Sequence, residues 1–237
     1  MERMKRNNNN RPARRGVIAA AFTLASLLLL VGCASPTGVE GSDMWWPQAV
    51  GWSWLYVATD QDDLEINVNI EDTAEYGDHE CFINEFGDYD SHEGMLVAVR
   101  PTSDEAFEIW DQRFWVDLGD GWWVETELRY TDPITVYISG TLDDPVSDSG
   151  EGVVYVSGIP VGDGFTATLT SETLETGVEL EVQDTTYTDM RRLEFTLESD
   201  VQDPVVSHGY FKRGVGLVRS EGLWGYGVLE LVSYETP

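Results

Sequence analysis

The chain has 237 residues, 42% apolar and 24% charged, enough to bury the core of one ordinary globular domain. That balance excludes the fibrous, disordered and disulfide-rich classes. Lys and Arg number 14 against 43 Asp and Glu, a formal charge of -29. Nucleic acid and anionic headgroups are repelled by such a surface, so no nucleic-acid partner is expected.

Residues 1–32 are different material. Arg3, Lys5, Arg6, Arg11, Arg14 and Arg15 make a basic start, and Val17 to Val31 is an apolar run of 15 residues, too short for a comfortable bilayer span. This is the pattern of a signal peptide that is removed. Leu30-Val31-Gly32-Cys33 resembles the lipobox of bacterial lipoproteins. The resemblance implies that Cys33 is diacylated, with palmitate-type chains, and becomes the first residue of the mature protein. Two acyl chains hold a protein on a membrane without a spanning helix. The expected location is therefore the cell membrane or the outer membrane, lipid-anchored and extracytoplasmic. Arg14-Arg15 invites a twin-arginine reading, but Val17 and Ile18 replace the aromatic and leucine of that motif, and the general route is favoured.

Cutting before Cys33 removes six basic residues and one acidic residue. The mature chain keeps 8 Lys and Arg against 42 Asp and Glu, a formal charge of -34, with Lys212 its one lysine. Such a surface fits either a high-salt habitat, where cations screen self-repulsion, or an ordinary acidic secreted protein. With Cys33 taken by lipid, Cys81 stands alone and no intrachain disulfide can form. It reads as a small buried hydrophobe. The organisation expected is a signal peptide over 1–32, a lipidated cysteine with a short Ser/Gly/Pro/Thr-rich tether over 33–47, and an antiparallel β domain over 48–237.

Period-two alternation dominates from Val50 onward. Val50 to Ala58, with Trp52, Trp54 and Tyr56, is apolar on both faces and predicts a covered strand. Leu64, Ile66, Val68 and Ile70 alternate with Glu65, Asn67, Asn69 and Glu71, a strand with one face on a core. Met95 to Val99 and Val153 to Val156 again read as covered strands. Ala106 to Asp117 and Trp122 to Tyr130 flank Gly119-Asp120-Gly121, which has hairpin chemistry. Ser103 to Asp111 has the alternative of a short helix, because Phe107 and Trp110 are three apart. Further strands are predicted at Ile134–Ser139, Phe165–Thr170, Val178–Val182, Leu193–Leu197, Ser207–Lys212, Val215–Ser220 and Val228–Tyr234. Asp143-Asp144-Pro145, Pro160 to Gly164 and Asp200 to Pro204 are predicted loops. No long amphipathic helix follows the signal. The fold class is all-β: a single antiparallel curved sheet of about a dozen strands, forming an open half-barrel or a sandwich.

Val182 through Tyr187 to Leu193-Glu194-Phe195 is followed by Tyr210-Phe211-Lys212-Arg213-Gly214-Val215-Gly216-Leu217-Val218-Arg219, and the chain ends in Leu229-Glu230-Leu231-Val232-Ser233-Tyr234. These stretches, with the opening Trp52-Ser53-Trp54-Leu55-Tyr56, resemble a broad group of uncharacterised bacterial secreted proteins and lipoproteins. The resemblance covers Val182 to Tyr234 and the order of the earlier strands. Thr185-Thr186 stands where the group usually has Ala-Gly. That group is similar to the lipoprotein-carrier half-barrels LolA and LolB, which implies an open barrel whose concave side holds acyl chains. It implies no catalytic residues. Physically, Gly214 and Gly216 permit positive φ or a bulge between two strands. A phosphate cradle would need a following helix N-terminus, and none is indicated.

Asp78-His79-Glu80-Cys81 with His92-Glu93 is the sharpest chemical constellation. His79, Cys81 and His92 are candidate zinc or copper ligands, although His-x-Cys-x10-His matches no signature of known specificity. The alternative is a buried thiol with solvated histidines. Asp60-Gln61-Asp62-Asp63 and Asp88-Tyr89-Asp90 offer oxygen ligands to calcium, but neither reproduces an EF-hand loop. Cys81 beside His79 is no aligned nucleophile, and no Gly-x-Ser-x-Gly elbow is present. Catalytic carboxylate pairs are defined in space, so 42 acids identify none. Among nine tryptophans most are expected in the core, Trp54, Trp115 and Trp122 included, while Trp123 lies on the polar face of its strand. A Trp123 exposed near Trp45-Trp46 would make a binding patch.

The function expected is that of a non-catalytic, membrane-anchored lipoprotein without a cofactor. It would hold a lipid, an apolar ligand or a partner protein on a concave sheet through Trp52, Trp54, Tyr56 and Trp123. The alternatives are a carbohydrate or cell-envelope interaction module using exposed tryptophan, and a metal-binding or enzymatic lipoprotein.

Overall fold

The computed structural model describes residues 44–61, 64–138, 142–200, 202–222 and 227–237. Alternating apolar and polar residues form twelve strands: β1 (Ser53–Ala58), β2 (Leu64–Tyr76), β3 (His79–Phe86), β4 (Met95–Pro101), β5 (Ala106–Asp117), β6 (Trp123–Tyr137), β7 (Val146–Val156), β8 (Ile159–Val182), β9 (Thr185–Ser199), β10 (Gln202–Lys212), β11 (Gly216–Glu221) and β12 (Val228–Glu235). Each pairs antiparallel with the next, and β12 returns to pair with β1 from Ser53↔Glu235 to Ala58↔Leu229. The sheet is thus a closed up-and-down barrel.

This overturns the expected open half-barrel or sandwich. The first and last strands carry the same alternation, with Trp54, Tyr56 and Ala58 on one and Leu229 and Leu231 on the other all buried. Pairing them puts both apolar rows inside and removes the two free edges that an open sheet would expose. A concave apolar face therefore does not exist as a surface. It is the barrel interior, filled by Trp54, Tyr56, Phe107, Phe114, Phe211, Ile109 and Ile134 among others. The outer wall is polar: in β9, Leu193, Phe195 and Leu197 are buried while Glu194, Thr196 and Glu198 face outward. That is the reverse of a lipid-facing barrel, whose apolar residues point out.

Several expected strands merge. Trp122–Tyr130 and Ile134–Ser139 fall largely in the single strand β6, with a register shift between Tyr130 and Asp132. Phe165–Thr170 and Val178–Val182 both belong to the 24-residue β8, which absorbs three register shifts against β9. The predicted loops Pro160–Gly164 and Asp200–Pro204 are mostly strand, since the turns there are tighter than their Pro and Gly content suggests. Ser103 to Glu105 is a turn and β5 starts at Ala106, so no helix forms. Bulges bend long strands around a barrel while keeping one face inward.

The two ends of the barrel differ. At one, residues 44–48 pack into the opening and all are buried. Trp45 N–H bonds Asp104 O, and Gly214 N–H bonds Met44 O. Trp46 sits against Trp54 at 5.3 Å and Phe211 at 6.0 Å between ring centroids. Arg191 lies 4.1 Å over the Trp45 ring. The residues assigned by sequence to the end of the tether, 44–47, are thus packed material that caps this end. Gly216, at φ 101°, lets the chain pass close to Trp46. The opposite end, bearing the β1–β2, β3–β4 and β5–β6 connections, is the mouth.

Candidate ligand-binding pocket at the barrel mouth

The mouth is built from three pieces of sequence. Phe86, Met95 and Phe114 are register partners across β3, β4 and β5, and all three are buried. With Ile66 from β2 they form an apolar floor. The 87–94 loop then turns over the rim. Gly87 N–H bonds Asn67 O at 2.7 Å, and Glu93 N–H bonds Asp88 O at 3.1 Å. Asp88 accepts from the Ser91 amide at 3.1 Å and Glu85 from the Tyr89 amide at 3.0 Å. At Gly94 any Cβ would come within 2.4 Å of Phe86 O, so only glycine closes the loop this tightly.

The third piece is aromatic. His92, held at φ 70°, lies edge-on to Trp115 at 4.3 Å and parallel to Trp123 at 5.7 Å, with 20° between the ring planes. Trp115 is fixed by its indole N–H donating to Tyr89 O at 3.0 Å, and the Tyr89 hydroxyl donates to Glu125. Desolvation first, then that bond, pushes the Tyr89 phenol upward. The half-open cleft measures about 600 Å³ and is lined by the floor residues together with Leu64, Glu65, Asn67, Asp88, His92, Glu93, Trp115 and Trp123. That volume is within the roughly 300–1,000 Å³ of small-molecule clefts, and the apolar floor with a few polar rim groups matches their make-up.

The residues singled out by sequence separate accordingly. Trp123 is 40% exposed and lines the pocket. Trp122, expected in the core, is 72% exposed because it sits in the β5–β6 turn just before the strand. Trp45 and Trp46 lie at the capped end, so no patch joins them to Trp123. Trp52, Trp54 and Tyr56 are interior. Trp52 stacks between Trp54 at 5.4 Å and Tyr234 at 6.2 Å. The Trp54 indole donates to Val215 O at 2.7 Å and the Tyr56 hydroxyl to Leu217 O at 3.0 Å. β11 pairs with β12 over Arg219–Glu221, so these side chains serve carbonyls that lie outside that ladder. Cys33 and Trp224 lie outside the described residues.

His79, Cys81 and His92 do not meet. His79 and Cys81 are on β3 near the capped end, where His79 Nδ1 contacts Arg100, while His92 is at the mouth. The Cys81 thiol is fully buried, and desolvation pushes it up to about 12. Nearby on the outer wall, Asp111 accepts from the Tyr76 hydroxyl at 2.7 Å and from Arg113 Nε at 2.8 Å. Burial nevertheless raises its carboxyl to about 6. Among the described residues no group of three or more His, Cys, Asp or Glu side chains is arranged to hold a metal ion. Of the proposed calcium runs, Asp60 accepts from the Gly227 and Val228 amides at 2.9 and 3.2 Å, a structural use, and Asp62-Asp63 lie outside the described residues.

What sequence reasoning missed is the floor and its loop. Residues 79–86 show weak alternation, and nothing in them announces that Phe86 and Phe114 become partners through Met95. The available signal was Gly87 and Gly94 framing a loop followed by a covered strand.

No protein-family model matches the chain, and no curated protein matches it significantly. Two solved structures are similar. One is a Bacteroides fragilis protein described as exported with a YmcC-like fold, at 13% identity and TM-score 0.42, covering 82% of this chain and 100% of that one. The other is a Parabacteroides distasonis protein described as a lipoprotein, at 12% identity and TM-score 0.37, covering 81% of this chain and 99% of that one.

Proposed function

We propose that this protein is an exported, non-catalytic binding module, anchored through Cys33, that takes a small ligand with a flat apolar face into the pocket at the barrel mouth. The observation that carries the reading is the stack of His92 on Trp123 above an apolar floor, around a cavity of about 600 Å³. A tryptophan left partly exposed beside a cavity offers a ring face for stacking, which a core tryptophan does not. A sugar ring or another flat small molecule fits this description. An acyl chain laid on an open sheet does not, because the sheet closes.

An anchor on Cys33 would set the orientation of the barrel. The described chain begins at Met44 in the capped end. Ten residues lie between Cys33 and Met44, a reach of at most about 40 Å over the eleven steps at roughly 3.6 Å each. A lipid on Cys33 would therefore hold the capped end toward the membrane and the mouth away from it. The test is a screen of sugars and small aromatic compounds against the full chain carrying Cys33→Ser, followed by tryptophan fluorescence. A ligand that quenches the native protein and loses at least tenfold affinity in Trp123→Ala, but not in Trp122→Ala, supports the reading. Binding that survives Trp123→Ala unchanged refutes this site.

A further inference from the structure

The charges around the mouth say which ligands the pocket takes. The mature chain has eight cationic Lys and Arg side chains, and all are committed elsewhere. Arg100 pairs with Glu108, Arg113 with Asp111 and Arg129 with Glu127, all on the outer wall. Arg191 pairs with Glu105 and Arg213 with Asp104 at the capped end. Arg219 pairs with Glu221, Lys212 donates to Thr188 O, and Arg192 lies over the Tyr210 ring. None of the eight lines the pocket, whereas Glu65, Asp88 and Glu93 do. No Lys or Arg therefore offsets these acids in the cleft where Trp123 is partly exposed.

Resting on the pocket reading above, we infer that the ligand is an organic cation: an ammonium or quaternary ammonium group joined to an apolar body. Trp123 is 40% exposed, and the ring face that His92 leaves uncovered attracts a cation within about 6 Å of the ring centre. The carboxylates add attraction of the same sign, focused by the low-dielectric wall of the cleft. The floor of Phe86, Met95 and Phe114 takes the apolar body, and a cavity of about 600 Å³ is too large for a bare metal ion to fill. An anionic ligand would meet three carboxylates and no Lys or Arg, with His92 the one basic side chain in the lining. A neutral ligand would use the rings and the floor but leave the acids idle.

The experiment titrates three probes that share one ring, benzyltrimethylammonium, benzyl alcohol and phenylacetate, into the full chain carrying Cys33→Ser. Binding is read by tryptophan fluorescence at a salt concentration where circular dichroism shows the protein folded. The expected result is that the cation binds at least tenfold tighter than the alcohol and phenylacetate least. The cation's advantage should shrink at 1 M salt and fall to below threefold in Glu65→Gln/Glu93→Gln, two exposed positions. Equal binding of cation and alcohol, both lost in Trp123→Ala, would overturn the cationic class and leave the pocket standing. Tightest binding by phenylacetate would do the same. Failure of all three probes to bind, with no ligand found in the wider screen, would sink the pocket reading itself.

Discussion

If residues 44–48 are a structural cap and not a tether, removing Trp46 should destabilise the whole barrel. Trp46 is 1% exposed and touches Trp54 and Phe211 inside the opening. A tryptophan side chain buries roughly 150–250 Å², which at about 25 cal/mol per Å² is about 4–6 kcal/mol as an upper estimate. Aromatic-to-alanine changes in cores cost about 3–5 kcal/mol, a large part of the about 5–15 kcal/mol that holds a domain together. Trp46→Ala is therefore expected to cost about 3–5 kcal/mol. With a urea slope of about 2–3 kcal/mol per M, the midpoint should fall by about 1–2.5 M. Trp46→Phe separates packing from polarity. The Trp46 indole N–H is buried without a partner among the described residues. Its removal recovers about 1–3 kcal/mol against the loss of part of the ring area, leaving Phe within about 1 kcal/mol of the native protein. Urea unfolding followed by far-ultraviolet circular dichroism measures both variants. A midpoint shift under about 0.3 M for Trp46→Ala would show that the segment does not close the barrel.

Four further outcomes follow from single contacts. Tyr56→Phe leaves the buried Leu217 carbonyl without its side-chain donor and should cost about 1–2 kcal/mol in the same assay, with Trp122→Ala as a neutral control within about 0.5 kcal/mol. Cys81 should resist Ellman's reagent in the folded protein and react only on unfolding, because burial disfavours the thiolate; rapid native labelling would contradict its placement. Asp111 has its carboxyl raised from 3.8 to about 6, so its contribution to stability is present below about pH 4 and lost as pH rises through about 6. At about 1.4 kcal/mol per unit this is at most about 3 kcal/mol. Asp111→Asn should therefore gain on the native protein by up to that amount between pH 4 and 7, and a pH-independent difference would refute the assignment. Gly94→Ala forces the 87–94 loop off Phe86, so it should weaken ligand binding more than it lowers the urea midpoint.

The strands were legible where alternation is strict and one face meets water. Leu193, Phe195 and Leu197 against Glu194, Thr196 and Glu198 leave no second reading, and their burial follows the pattern residue by residue. The pattern says which face turns inward but not which strands are neighbours. Closure depends on Ser53 meeting Glu235 across nearly the whole domain, a pairing with no local signature. Strand length was obscured for a related reason: Thr131, Gly162 and Gly177 look like breaks, yet a barrel wall takes bulges and glycines within continuous strands.

Closure also decides which aromatic residues can act. Trp54 and Tyr56 sit on the first strand, and in an open sheet their inward faces would be the binding surface. Once β12 covers that edge, the same inward direction commits them to the core and to the carbonyls of Val215 and Leu217. Trp123 had the opposite signal, an aromatic on the polar face of an alternating strand, and that mismatch survives folding: the ring stays partly exposed and meets His92. In a closed barrel the residues that fit the alternation are consumed by packing, so binding capacity collects where the alternation is broken and at the end opposite the plug formed by residues 44–48. Here both conditions are met at the mouth. Moving the capping aromatic pair Trp45-Trp46 away, by deleting residues 44–48, should therefore lower stability far more than it changes occupancy of the pocket at the other end.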